Sequence, residues 1–405
     1  MFMQPSSRSK NLQSPIRDMV VIAKKLEAKG KKIYYFNTGD PNKFDFDTPA
    51  YLKEELIKAV RGRAGFYSDS QGNLTLIESI VKRENKKNNI NLNNTDVLIT
   101  QGISEALMFI FGAIIEQGKE DEILVPGPSY PPYLQWIKFF SGKPIAYRLI
   151  EEENWKPDVD DLRKKITKKT TTVVIINPNN PTGSVADKSV LKEMINLAGE
   201  YNLTVMADEI YDQLIFGKTQ HYGVCSIAED IPVIGVNGFS KAYLIPGWRL
   251  GYIYFRDKSN ELNELKEAVF SEARQRLSAC TPIMKACAVA YSGPQDHIKE
   301  TNEKLRKRAE FAFNRLNEID GITTQKPEGA FYIFPKVDID GKWKDDREFC
   351  LDVLENTGII FPYGSGFHEI YGKDHFRSVI LPPIELMEEA FSKLEDFMKK
   401  MLRKL

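Results

Sequence analysis

Short runs of β-branched and apolar residues, each followed by a helix-like stretch, recur through the middle of this chain and constrain its fold more than any other feature. The runs are VLIT from Val97, EILVP from Glu122, PIAYRL from Pro144, VVIIN from Val173, TVMADE from Thr204, VIGVN from Val233 and LGYIYF from Leu250. Several are apolar at consecutive positions, the pattern of strands covered on both faces. Between them lie amphipathic stretches such as SEALMFIFGAII, where Leu107, Ile110, Phe111, Ile114 and Ile115 share one stripe. The alternation predicts an α/β fold whose large domain holds a mainly parallel, seven-stranded sheet covered by helices.

At 405 residues the chain is too long for one ordinary core. After about residue 290 the texture changes. A charged helical stretch runs from His297 to Ile319 and ends at Gly321, and strand-like GAFYIFPKV follows. A closing amphipathic helix, PPIELMEEAFSKLEDFMKKMLRKL, puts Leu386, Ala390, Phe391, Leu394, Phe397, Met398 and Met401 on one face. The expected organisation is an N-terminal arm with part of a small domain (1–48), a large domain (49–290) and a small α+β C-terminal domain (291–405).

Charge and composition remove several classes of function. Lys+Arg and Asp+Glu stand at 56 each, and the basic runs KLRKR (from Lys304) and RENKK (from Arg83) are flanked by acids. They are expected to be solvated helix faces rather than a nucleic-acid patch. The cysteines Cys225, Cys280, Cys287 and Cys350 form no C-x-x-C pair, which fits a reducing compartment and no metal cluster. No apolar run approaches the roughly 20 residues of a membrane helix. The first 17 residues carry Ser and Arg without an acid but lack an apolar h-region, so they are read as an arm leading into a helix near Ile16. A cytoplasmic location is expected.

Some motifs fail on inspection. GFHEIYGKD is one residue too long for a P-loop and has Asp374 where Ser or Thr is required. His368-Glu369 lacks the second histidine of a zincin helix, and Ser104 and Ser129 lack a G-x-S-x-G frame. No G-x-G-x-x-G opens a helix after a strand, and four histidines offer no metal site.

Four segments at expected strand ends remain, where ligands of open α/β sheets bind. In GFSKAYLIPGWRLG (Gly238–Gly251), Lys241 follows small residues between two apolar strands. Partial desolvation and a nearby cation favour an unprotonated amine, which can condense with an aldehyde. Arg249, eight residues on, suits a phosphate. In TVMADEIYDQL, Asp208 ends a buried strand and needs a positive partner, either a protonated pyridine nitrogen or the role of a helix cap. Tyr211 could reach the ring's phenolic oxygen. VVIINPNNPTG presents Asn180 on a turn at the sheet edge. ITQGISEAL opens a helix after a strand, so the amides of Ile103, Ser104 and Glu105 and the Ser104 hydroxyl form an anion site or a cap. Tyr130, in LVPGPSYPPY, could stack on a flat heterocycle or serve as a core aromatic.

Taken together, these residues resemble the class I/II aminotransferases of pyridoxal phosphate fold type I, and within them the microbial alanine aminotransferase group. The resemblance spans nearly the whole chain, from FNTGDPNKFDFDTP through FYSDSQG, PGPSYPPY, INPNNPTG, ADEIYD and the Lys241 segment to GAFYIFP and HFRSVILPP. It implies that Lys241 holds the cofactor covalently and carries the proton. Asp208 would keep the pyridine nitrogen protonated, and Asn180 and Tyr211 would bind the phenolic oxygen. Arg249, Ser240, Ser104 and the amides of Ile103 and Glu105 would bind the phosphate, with Tyr130 on the ring. Tyr67 would reach the neighbouring subunit's phosphate, implying an obligate homodimer. Arg377 would clamp the substrate α-carboxylate, with Asn180 and the backbone of Gly39 beside it. One departure stands out: many relatives have a phosphate-binding Ser where this chain has Gly238.

The implied reaction is ping-pong transfer of an amino group between an L-amino acid and a 2-oxo acid, with alanine and 2-oxoglutarate the best pair. Three alternatives stay open at this stage. They are an aspartate or aromatic aminotransferase, a lyase on the same site (carbon–sulfur or cyclopropane-forming), and a non-catalytic regulator. No second arginine for a dicarboxylate can be located from sequence.

Overall fold

The computed structural model describes residues 3–12, 14–339 and 341–402. The first two residues of the expected arm, its position 13 and the last three residues of the expected closing helix lie outside them. Alternating apolar runs become β1 (Val97–Thr100), β2 (Glu122–Gly127), β3 (Lys143–Ile150), β4 (Lys156–Pro157), β5 (Thr170–Ile176), β6 (Thr204–Asp208), β7 (Val233–Gly238) and β8 (Gly251–Arg256). They form one sheet in the order β1-β8-β7-β6-β5-β2-β3-β4. The expected seven strands are all present. The eighth, β4, is a two-residue edge strand whose polar Lys-Pro sequence gives no apolar signal.

Successive residues of a strand face opposite sides, and here both sides are dry. Val97, Ile99, Val173, Ile175, Val205 and Ala207 join one buried cluster, while Leu98, Val174, Ile176, Met206 and Ile234 join the other. Helix α1 (Ile103–Ile114) covers the second face, burying Ala106, Leu107, Ile110 and Phe111. Covering both faces explains why the runs read as continuous rather than alternating.

One strand decides where the chemistry sits. β2, β3, β5, β6 and β7 are parallel, whereas β8 runs antiparallel to both β1 and β7. Its first residue, Gly251, pairs with Thr100 at the end of β1 and with Gly238 at the end of β7. The reversed strand therefore begins at the edge where its neighbours finish. Residues just before β8 are delivered to the same crevice as residues just after β1, β5, β6 and β7.

The remaining chain packs as a third buried cluster that joins the N-terminal segment to residues after 296. Tyr34–Tyr35 pairs with Ile359–Ile360, Ile322–Thr323 with Lys336–Val337, and Tyr332–Ile333 with Ser378–Val379. The expected single strand GAFYIFPKV is thus split, with Pro335 between its two pairings, because proline cannot donate to a ladder. Helices Asp296–Asn317 and Ile384–Leu402 pack on these pairs, and Phe391 is fully buried 5.6 Å from Phe36.

The two basic runs correct an expectation. Arg306 and Lys307 do pair with Glu303 at the surface. Arg308, however, is 4% exposed and bridges Asp45 and the carbonyl of Leu381. Arg83 and Lys87 turn inward to Glu84, Glu209 and Asp212. Glu84 is the next residue, but Glu209 and Asp212 come from a distant segment, so the local acid balance could not reveal the inward turn. Truncating Phe391 to Ala should cost roughly 3–5 kcal/mol in denaturant unfolding, as expected for a large aromatic in a closed core; a loss below about 1 kcal/mol would mean that the closing helix is not docked as described.

Candidate active site

Lys241 stands three residues beyond β7. Its Nζ donates to the carbonyl of Gly39 at 3.2 Å and lies 5.0 Å from the ring centre of Phe331 and 5.7 Å from that of Tyr211. Gly39 allows this approach, since a Cβ there would fall 2.3 Å from the Tyr332 hydroxyl oxygen. Among the described residues no carboxylate bonds to the amine.

Arg249 is set by the backbone. It adopts a left-handed φ of 56°, and its Nη1 donates to Pro246 O at 3.0 Å. Its Nη2 points to Ser104 Oγ and Gln101 O, each at 3.5 Å. Gly102, at φ +75°, leaves the room: a Cβ would sit 2.7 Å from Nη2. The guanidinium therefore lies across the N-terminus of α1, whose first amides have no acceptor within the helix. Two like-signed donors converge there, which is an anion cradle.

Asp208 ends β6 and is 4% exposed. Its carboxylate accepts the Tyr133 hydroxyl at 2.7 Å and the Ile210 amide at 3.1 Å. Burial nonetheless pushes its carboxyl up to about 6, more than the two hydrogen bonds and the charge of Lys241 offset, and no cation bonds to it among the described residues. Arg377 is the opposite case. It is 1% exposed, and its partners are neutral: Asn180 Oδ1 at 3.1 Å and the carbonyl of Asn37. The ring of Tyr332 packs 4.4 Å from the guanidinium carbon. Its Nε has no partner among the described residues, and burial lowers its pKa from the ordinary arginine value.

Two adjoining cavities hold these groups. One, of about 110 Å³, is lined by Ile103, Ser104, Tyr130, Asn180, Asp208, Tyr211, Ser240, Lys241 and Arg249. The other, of about 350 Å³, is lined by Gly39 and Arg377 among others, and shares Tyr130, Lys241 and Tyr332 with the first. Lys241 thus stands at the junction. Two expected residues are not brought to either cavity. Tyr67 is 80% exposed. The Glu105 amide donates to Gly102 O at 3.2 Å, and its carboxylate accepts from the Gln101 amide and faces Arg276. The departure at Gly238 has a steric cause: a Cβ would lie 2.9 Å from Leu250 O and 3.0 Å from Gly251 Cα.

Sequence reasoning passed over several contributors. Tyr133 was inside the quoted PGPSYPPY string, one helical turn after Tyr130. Tyr332 lay in GAFYIFPKV and shares a 3.0 Å hydroxyl contact with Tyr211. Asn37 lay in FNTGDP, but it meets Arg377 through its carbonyl, which no side-chain pattern marks. The buried ion network behind the site also holds the turn after Asp208. Asp212 accepts from Arg83, Lys87 at 2.6 Å and Asn237 at 3.1 Å, and these cations keep its carboxyl well below the usual range against the cost of burial.

Comparisons with known proteins agree with this geometry. The family model for aminotransferases of class I and II matches residues 32–394. The chain is similar to the glutamate-pyruvate aminotransferase AlaA of Escherichia coli, at 34% identity over 98% of both chains. It is likewise similar to the alanine aminotransferase of Mycobacterium bovis, at 34% identity over 93% of this chain and 88% of the relative. Among solved structures, alanine aminotransferase from Pyrococcus furiosus superposes with a TM-score of 0.95 at 50% identity, covering 98% of this chain and 100% of the other.

The charges that line the cavities test the fit of the family's cofactor, pyridoxal phosphate. Among the described residues, a buried carboxylate with no cation bonded to it, a cationic cradle at a helix N-terminus and an amine with no carboxylate bonded to it all line one cavity. A molecule with a protonated ring nitrogen, a phosphate and an aldehyde complements all three. The buried, uncompensated Arg377 next door suits a carboxylate. The donor set fits the cofactor, and the chain belongs to the class I and II aminotransferases: it is a fold-type I, pyridoxal-phosphate-dependent transaminase.

Proposed function

We propose that this enzyme transfers the amino group between L-alanine and 2-oxoglutarate, giving pyruvate and L-glutamate, in two half-reactions at one site. The observation that carries the assignment is the position of Lys241 Nζ, at the junction of a phosphate-and-ring cavity with a carboxylate-binding cavity. The names borne by the Escherichia coli and Pyrococcus furiosus relatives support alanine as the donor.

When bound, pyridoxal phosphate supplies an aldehyde for the amino group and a ring that draws electron density from the substrate Cα–H bond. The protein's part follows from its geometry. Arg377 binds the α-carboxylate bidentately, gaining the ion pair that its buried guanidinium lacks. Asn180, already held by Arg377, keeps its amide N–H groups for the ring oxygen, and Tyr211 donates to the same oxygen. Asp208, positioned by Tyr133, holds the proton on the ring nitrogen. Arg249, Ser104, Ser240 and the first amides of α1 take the phosphate, and Tyr130 packs on the ring. Lys241 Nζ then takes the proton from substrate Cα, a general-base role open to an amine with no competing carboxylate.

We also infer a homodimer in which Tyr67 serves the neighbouring site. A tyrosine that is 80% exposed beside an exposed Phe66, with Met108 and Leu277 also exposed, is better explained by a second copy than by water. The division into 1–48, 49–290 and 291–405 belongs to the same proposal, supported by confinement of all eight sheet strands to the middle segment. A cytoplasmic setting is consistent with four unpaired cysteines. Among the described residues no helix is long and apolar enough to cross a membrane.

Three measurements test these roles. Mixing holoenzyme with a panel of amino acids should discharge the cofactor's visible absorbance with alanine and glutamate, and Lys241→Ala should slow that change by roughly 100-fold or more. Discharge by neither amino acid would refute the substrate pair.

A second test concerns Asp208. Its carboxyl titrates near 3.8 when unfolded and about 6 when buried, so the native apoprotein binds the extra proton between these values. Stability therefore falls as pH rises through that window and stays lowered above it. Cofactor-free Asp208→Asn should melt above the cofactor-free parent at pH 7.5, by an amount reflecting about 1–3 kcal/mol, and the gap should close toward pH 4. The same variant should hold cofactor more weakly than the parent.

The third test is assembly. Sedimentation should give a dimer mass, and Tyr67→Phe should weaken cofactor binding by about tenfold. A fully active monomer would overturn the shared site.

A further inference from the structure

Arg377 answers for one carboxylate, yet the cavity it lines contains another arginine. The cavity of about 350 Å³ is walled on one side by an N-terminal strap that includes Pro15, Ile16 and Arg17. Its lining includes Arg17, Lys241 and Arg377 as cations and no aspartate or glutamate. With Lys241 assigned to proton transfer and Arg377 to the α-carboxylate, Arg17 is the one lining cation left without a task.

Three observations indicate that Arg17 faces a ligand. The strap is docked right up to it: Pro15 is buried against Gly366, where a Cβ would come within 2.2 Å, and Asn37 Nδ2 donates to Ile16 O at 3.1 Å. Arg17 lies in the first turn of the helix Pro15–Glu27, where the helix dipole disfavours a cation, so the position gains nothing for the helix itself. Its guanidinium has no hydrogen-bond or ion-pair partner among the described residues, whereas other exposed cations of the chain, such as Lys32, Lys58 and Lys304, do meet carboxylates.

We propose that Arg17 is the specificity-determining residue that binds the distal carboxylate of the five-carbon dicarboxylate substrate, and that its exposure is what lets the same site accept alanine. Every substrate of this site has an α-carboxylate, so the residue that takes it can be buried and fixed, as Arg377 is. Only one substrate of each pair has a second carboxylate. A buried arginine in that role would be stranded without a partner whenever alanine or pyruvate was bound, at the cost of an unpaired interior charge. An exposed arginine simply returns to water. Burial thus separates the two arginines according to how constant their ligands are.

The assignment rests on the alanine–glutamate pair proposed above, and the test keeps the two apart. Half-reactions of holoenzyme with L-glutamate and with L-alanine are followed by the cofactor's absorbance, in the parent and in Arg17→Met and Arg17→Lys. Arg17→Met should lower the specificity constant for glutamate about 10- to 100-fold, the range for a lost charge-assisted hydrogen bond, while alanine changes less than about threefold. Arg17→Lys should restore part of the glutamate activity. The unreactive dicarboxylate glutarate should perturb the parent's spectrum at lower concentration than that of Arg17→Met, whereas propionate should not distinguish them. A parent that fails with glutamate would sink the substrate pair and this proposal with it. A parent active with both, whose Arg17→Met form loses both equally or neither, overturns the role of Arg17 alone.

Discussion

Backbone meets backbone at the carboxyl edge of the sheet, and the site depends on that contact. Gly251 opens β8 with its Cα so close to Gly102 that a Cβ would lie 3.0 Å from the Gly102 backbone and 3.1 Å from Asn237 O. Gly238 is equally tight against Leu250 and Gly251. Three glycines on three chain segments therefore let β8 begin within touching distance of the ends of β1 and β7. That closeness places Arg249 across the start of α1 and Lys241 beside both. Side chains at these positions would widen the edge and pull the cradle apart, so the small residues here are a packing requirement before they are a binding feature.

Charges left uncompensated in the protein alone are the second organising fact. Asp208 and Arg377 are both nearly inaccessible, and neither has an ion-pair partner among the described residues. Interior charges in such a state weaken a fold unless a ligand completes them. The protein answers the same problem differently behind the site. There Arg83 and Lys87 meet Glu84, Glu209 and Asp212 in a closed network that pins the turn carrying Tyr211. Internally satisfied charges make the platform rigid, and unsatisfied ones face the cavities. The contrast separates scaffold from binding surface in terms of electrostatics rather than position.

Much of this was legible in the sequence because it is local. The seven apolar runs mark seven strands; Asp208 ends one, and Lys241, Asn180 and Ser104 each follow one within a few residues, so strand ends located them. What was not legible depends on distance along the chain. Arg83 and Lys87 read as a solvated basic run because Asp212 lies more than a hundred positions away. Tyr133 drew no reading of its own within a proline-rich string, although its hydroxyl reaches Asp208 across 75 positions. The amide of Glu105 was expected to be free at a helix start, but Gly102 O, set back by its positive φ, takes it first. β4 has no apolar pattern and exists only because β3 offers it an open edge.

The N-terminal strap shows why distance hides specificity in particular. A chemical step needs several groups at fixed separations, and a sheet edge supplies them from contiguous motifs. Discrimination between substrates needs only a wall that varies, and here the wall arrives with the helix Pro15–Glu27, near the start of the chain and away from the strand ends. The strap is held by Pro15 and the Ile16 carbonyl, contacts that specify a backbone path and leave the next side chain open to substitution. Strap residues could therefore change without disturbing Lys241, Asp208 or Arg249, which sit on the rigid edge. Division of labour between a fixed sheet edge and a docked but variable strap lets one reaction centre serve different amino-acid side chains.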